Sequence, residues 1–141
     1  FYEAPIVSEK IASLSNPEDY VFVAGSEPEI LYYAKRKSPT RFVIMYPLML
    51  NTPFALQYQQ ETIRDLQKKS PELIVFSRSQ NSWLTQKQSP KIILAYLNQL
   101  LKNEYEMKGG FNIQTKQWHD SLTTSQYQQS SLVVYKRKEK M

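Results

Sequence analysis

The chain has 141 residues, enough for one domain that buries roughly two-thirds of its unfolded surface without a covalent staple. Its 41% hydrophobic and 13% aromatic content is that of a globular chain, and its longest apolar runs fall far short of the ~20 residues a membrane-spanning helix requires. The lack of cysteine excludes disulfides and thiolate metal sites without fixing a compartment, and the net charge of +5 raises the question of an anionic partner.

The basic residues concentrate at Lys35-Arg36-Lys37, Arg41 and Lys136-Arg137-Lys138-Glu139-Lys140, and a solvated surface is their plainest account. The chain opens on Phe1, with no basic-then-apolar leader, which predicts a fragment or a processed product.

Val7, Ile11 and Leu14 recur at helical spacing and predict a short amphipathic helix that ends at Asn16-Pro17. Val21 to Ala24 is a continuous apolar run, as expected of a strand covered on both faces. Ser26 and Glu29 form an S-x-x-E capping box with Pro28 in the first turn of a helix whose buried face is Ile30, Leu31 and Ala34. A second strand is expected over Phe42 to Tyr46. Thr52-Pro53 then opens a long helix to about Lys69, with Phe54, Tyr58, Ile63 and Leu66 as core candidates and Ser70-Pro71 as its stop.

Leu73 to Phe76 reads as a third strand, followed by a polar loop from Ser77 to Ser89. Pro90 starts a helix in which Ile92, Ile93, Tyr96, Leu97, Leu100 and Leu101 trace one stripe. Glu106 to Gln129, with Gly109-Gly110, reads as a hairpin or an irregular excursion, and Leu132 to Tyr135 is the last strand. Strands alternating with helices predict a Rossmann-like three-layer α/β/α sandwich, a single domain with a mainly parallel sheet of about four or five strands.

In such sheets ligands gather at the carboxyl ends of the strands, here the loops Gly25 to Glu27, Pro47 to Thr52 and Ser77 to Ser89. A dinucleotide fingerprint needs G-x-G-x-x-G, whereas this turn has one glycine and sets the carboxylate of Glu27 where a phosphate would sit. No P-loop is present. Gly25-Ser26 lacks the G-x-S-x-G of a nucleophile elbow, so Ser26 is better explained as a helix cap. His119-Asp120 offers half of a base and its orienting acid, without a partner motif, and an ordinary surface histidine is the simpler account. No second histidine or cysteine exists for a metal site, and the basic residues lack the motifs of nucleic-acid binders. Catalytic, cofactor and metal residues are therefore all expected to be none. Trp83, among Asn81, Ser82, Thr85 and Gln86, reads as an anchor of its loop on the core, or else as a group that stacks on a sugar ring or docks a partner.

Gly25-Ser26-Glu27-Pro28-Glu29-Ile30-Leu31-Tyr32-Tyr33-Ala34-Lys35-Arg36, then Pro39-Thr40-Arg41-Phe42-Val43 and Tyr46-Pro47-Leu48, resemble the C-terminal soluble domain of polytopic glycosyltransferases of the GT-C type. The resemblance is to the dolichyl-phosphate-mannose-protein mannosyltransferase group with its aminoarabinose transferase relatives. It extends through Ser70-Pro71-Glu72-Leu73-Ile74-Val75-Phe76 and Leu132-Val133-Val134-Tyr135-Lys136-Arg137, about two-thirds of the chain in all.

It implies an accessory domain on the extracytoplasmic, periplasmic side of a membrane protein. The missing N-terminal transmembrane domain would transfer a sugar from a polyprenyl-phosphate carrier to a lipid or protein acceptor, and would hold the catalytic acid. The membrane surface, the carrier-linked sugar and the acceptor are the implied partners, with no nucleic acid and no cofactor in this portion. Glu27, Tyr32, Arg41 and Trp83 are the implied acceptor or interdomain contacts; Arg41 can instead pair with Glu27 or Glu29 to fix the helix. The competing expectation is an independent Rossmann-like module that binds a small ligand or a protein without catalysis. A stand-alone transferase or hydrolase working through Ser26 is the third.

Overall fold

A computed structural model of the chain describes residues 2–139, so Phe1 and Lys140, the end of the basic C-terminal run, lie outside the described residues. In chain order the elements are α1 (Glu3–Leu14), β1 (Val21–Ala24), α2 (Glu29–Ala34), α3 (Tyr46–Met49), α4 (Ala55–Lys69), β2 (Leu73–Ser77), α5 (Gln80–Trp83), α6 (Ile92–Glu104), β3 (Tyr105–Asn112), β4 (Gln117–His119), α7 (Thr124–Gln129) and β5 (Leu132–Arg137). The strands form one sheet in the order β1-β2-β5-β3-β4.

Only β1 and β2 are parallel; β5 runs antiparallel to both β2 and β3, and β4 antiparallel to β3. The expected mainly parallel, Rossmann-like sandwich is therefore wrong, and the fold is a mixed α/β arrangement with a mostly antiparallel five-stranded sheet. The cause lies in residues 106–129. A parallel return needs a crossover of a dozen or more residues, usually helical. Here β3 instead folds straight back as a hairpin, whose turn is set by Asn112: its Oδ1 accepts from the Gln114 and Thr115 N–H groups (2.9 and 3.2 Å), and Lys116 closes the turn at φ 58°. The short α7, held by a Thr123–Gln126 capping box, then delivers β5 into the gap between β2 and β3 from the opposite direction.

Alternation along the strands divides the interior in two. Val21, Val23, Leu73, Val75, Leu132 and Val134 pack with Ala4, Val7 and Ile11 of α1 and Ile30, Leu31 and Ala34 of α2. Phe22, Ala24 and Ile74 turn to the other face, against Met45, Leu48 and Met49, Leu66 of α4, Trp83, and Ile93 and Leu97 of α6. The Val21–Ala24 run, expected to be a strand covered on both faces, is so covered.

Three local expectations fail. Phe42 to Tyr46 is no strand, because its buried residues recur every third position: Phe42 and Met45 are buried, as is Leu48 beyond, while Val43 is exposed. The Ser26–Glu29 capping box is also absent. Pro28 holds the N-cap position without a side-chain bond, and the Ser26 hydroxyl is used elsewhere. Helix α4 begins at Ala55 rather than at Thr52-Pro53, leaving Phe54 exposed, and Ser70 ends it in the left-handed region at φ 43°.

Candidate functional site

The carboxyl ends of the parallel pair β1 and β2 point the same way, and β3 ends there too, at the upper end of the sheet. Between them opens a cleft of about 290 Å³, floored by Ser26 and Glu27 after β1 and by Ser77, Ser79, Asn81 and Ser82 at and beyond the end of β2. Glu3 at the start of α1, Glu29 and Tyr46 form one side, and Ile113, Ser131 and Leu132 the other. The second wall follows directly from the antiparallel entry of β5, which sets its first residues beside the end of β2 through the Ser77–Leu132 register.

Gly25 makes the floor possible. A β-carbon there would collide with Glu27 Oε2 and stand 2.5 Å from Ser82 Oγ and 2.7 Å from Ser77 Cβ, so only glycine lets the two strand ends and the carboxylate converge. Ser82 Oγ accepts the Ser26 N–H at 2.7 Å, which ties the two floor segments together, and Ser26 Oγ accepts the Met45 N–H at 2.9 Å, which ties them to the start of α3. Tyr46 closes the span by donating to the Asn81 carbonyl at 3.2 Å.

Glu27 is the chemically distinctive group. Its Oε2 is enclosed and receives no well-directed hydrogen bond. Burial pushes the carboxyl above the usual glutamate range, and the negative charges of Glu29 and Glu3 push the same way. The hydroxyls of Ser82 and Ser77 approach and favour the charged form, but burial outweighs them. The cleft therefore sets an enclosed carboxyl of raised pKa among the hydroxyl and amide groups of Ser26, Ser77, Ser79, Asn81, Ser82 and Tyr46. Such a lining suits a small polyhydroxylated ligand, whose donors and acceptors are equally mixed, and opposes a phosphate.

Of the four expected contact residues only Glu27 lines this cleft. Tyr32 is 78% exposed on α2 and packs edge-on against Tyr33. Arg41 pairs neither with Glu27 nor with Glu29: it makes a two-pronged bond to Glu61 of α4 (2.7 and 3.1 Å) and stacks on Phe42. Trp83 is buried, donates Nε1–H to the Ser77 carbonyl at 2.9 Å and packs on Phe76, so it anchors its loop beneath the cleft. His119 lies on β4, where Asp120 accepts from Trp118 Nε1 at 2.6 Å. Among the described residues no group of three or more His, Cys, Asp or Glu side chains could hold a metal ion, and no helix is long and apolar enough to cross a membrane.

Fold and site together define a mixed α/β domain with an acidic, hydroxyl-lined cleft at one end of its sheet. Comparison of the chain with protein-family models, curated proteins and solved structures finds no match.

Proposed function

We propose that this chain is a non-catalytic accessory domain of an integral-membrane glycosyltransferase, carried on the extracytoplasmic side, and that its cleft receives a single sugar unit of the acceptor or of the polyprenyl-phosphate-linked donor. Two things support the reading. The segment resembling the transferase group, Gly25 to Arg36, supplies Ser26, Glu27 and Glu29 to the cleft lining. The carrying observation is the enclosed Glu27 carboxyl among convergent hydroxyls, a donor and acceptor set matched to sugar hydroxyls rather than to a nucleotide.

The chemistry of this domain would be binding and orientation. Holding a sugar ring against fixed groups lowers the entropy lost when it meets a catalytic acid supplied elsewhere. The test is a titration of the ¹⁵N-labelled chain with methyl glycosides, followed by NMR. Shifts confined to Gly25–Glu29 and Ser77–Ser82, and abolished by Ser82→Val, support the reading. No shift at the cleft with any glycoside removes the sugar, and a gene encoding no spanning segments ahead of this domain removes the transferase.

The cleft is built by this chain alone, which favours one second reading: an independent module binding a small hydroxylated ligand. The same titration supports it when shifts appear and the gene lacks spanning segments.

A further inference from the structure

The two long connections on the α3–α6 side of the upper end share an unusual charge pattern. Phe42 to Gln60 contains no charged residue, and Leu73 to Asn103 contains no Asp or Glu, only Arg78, Lys87, Lys91 and Lys102. Both reach the upper end, because α4 and α6 run back along the sheet and so begin where β1 and β2 finish. Buried bonds fasten the two together there: Gln59 Nε2 donates to the carbonyls of Leu48 and Pro90 (2.7 Å each), and Ser89 Oγ donates to the Met49 carbonyl.

From this fastened platform large apolar side chains stand out into solvent: Leu50 (39% exposed), Phe54 (55%), Leu56 (43%), Leu84 (44%) and Ile92 (39%). Among the described residues, the carboxylates of the upper end lie in the cleft, on Glu3, Glu27 and Glu29, while Lys87 and Lys91 sit exposed between Leu84 and Ile92. Acidic residues elsewhere belong to the lower end or the flanks, for example Glu72 with Arg137 and Glu61 with Arg41. Scattered single apolar residues need no explanation, but five on one rim, interleaved with cations only, do.

We infer that this rim, Leu50, Phe54, Leu56, Leu84 and Ile92 with Lys87 and Lys91, docks on the surface of an anionic lipid bilayer. The shape favours lipid over a protein partner. The exposed apolar residues are spread over a turn, two helix starts and the left-handed cap at Leu84 (φ 53°), and so suit a fluid phase that closes around each. Lys87 and Lys91 are both exposed here, with Lys91 Nζ donating to the Lys87 and Ser89 carbonyls (3.3 and 3.1 Å), and each cation near an anionic surface contributes roughly fivefold to such binding. Docked this way, the rim faces the lipid with the cleft opening at its edge. The inference stands whether or not the chain serves a transferase.

The test is co-sedimentation of the chain with vesicles of phosphatidylcholine containing phosphatidylglycerol, and with phosphatidylcholine alone. Binding is expected to the anionic vesicles and to weaken with salt. Leu50→Ser/Phe54→Ser/Leu56→Ser together, and Lys87→Glu/Lys91→Glu together, should each reduce it at least tenfold. These positions are exposed, and circular dichroism checks that the variants stay folded. A Phe54→Trp reporter should shift its emission to the blue on anionic vesicles beyond any change in the parent, whose Trp83 is buried and whose Trp118 packs on the opposite, α1/α2 face of the sheet. No vesicle binding by the parent chain, binding indifferent to the triple serine variant, or concentration-dependent self-association through the rim without vesicle binding each overturns the inference.

Discussion

Gln59→Leu is the substitution whose consequence the structure sets most tightly. Gln59 is fully buried on the inner face of α4, a position where a helical pattern expects an apolar residue. Its amide satisfies three backbone groups: Nε2 donates to Leu48 O and Pro90 O at 2.7 Å each, and Oε1 accepts the Ile93 N–H at 3.0 Å. The Ile93 N–H lies in the first turn of α6, where no intrahelical carbonyl is available to it. Leucine nearly preserves the volume but strands all three. The groups at Leu48 and Ile93 are buried and each costs about 1–3 kcal/mol unpaired, while the Pro90 carbonyl is partly exposed and recovers water. Allowing for the better transfer of leucine, the net loss is about 2–4 kcal/mol, or a fall in Tm of roughly 6–12 °C for a chain of this size. Urea denaturation followed by tryptophan fluorescence measures it, and amide exchange at Ile93 should accelerate. A midpoint equal to or above that of the parent, with an unchanged m value, would refute the assignment of Gln59 as the fastener of this end.

Three further outcomes follow from the same contacts. Gly25→Ala drives a β-carbon into Glu27, Ser82 and Ser77, and should destabilise by about 1–3 kcal/mol while erasing sugar-dependent shifts at the cleft; a neutral thermal melt would sink the close-approach argument. Because burial raises the Glu27 pKa, the folded state holds its proton longer than the unfolded one, so stability falls as pH rises from the ordinary glutamate range through the raised value. Glu27→Gln should flatten that slope and exceed the parent in stability at neutral pH, and an unchanged slope in pH-resolved denaturation would reject the cause. Tyr105 donates to the Pro71 carbonyl and burial raises its pKa, so stability is lost as pH climbs past the ordinary tyrosine range; Tyr105→Phe should lose about 1–2 kcal/mol at neutral pH and blunt the alkaline decline.

Much of the architecture was legible in residue order alone. Val21–Ala24 declared itself as a covered strand, Leu73–Phe76 as a short apolar strand, and Ile30, Leu31 and Ala34 as a buried helical face, because local pattern and burial agree there. Phe42 to Tyr46 misled because a short apolar run has no intrinsic period; Pro47 immediately after it was the available sign of a helix start. Strand direction was not legible at all. It depended on whether residues 106–129 formed a crossover or a hairpin, and that choice turned on the side-chain bonds of Asn112 and the capping box at Thr123. Within the site, Glu27 was visible as a carboxylate in a strand-end loop. Its burial was not, because the groups that enclose it, Ser77 and Ser82, arrive from some fifty positions away.

The reversed strand also changes what the cleft can accept. In a doubly wound parallel sheet, successive crossovers diverge at the switch point and leave an open crevice long enough for a dinucleotide. Here β5 starts beside the end of β2, so Ser131 and Leu132 wall off the crevice one strand over, and Ile113 of the β3–β4 turn caps it. What remains is a bounded space of about 290 Å³, at the small end of ligand sites and on the scale of one sugar ring. Enlarging it should relax selectivity rather than create affinity. Ile113→Ala, at an exposed turn position where folding is little affected, should admit disaccharides that the parent excludes. Equal responses of parent and variant to a disaccharide in the NMR titration would show that the antiparallel wall does not set the size of the ligand.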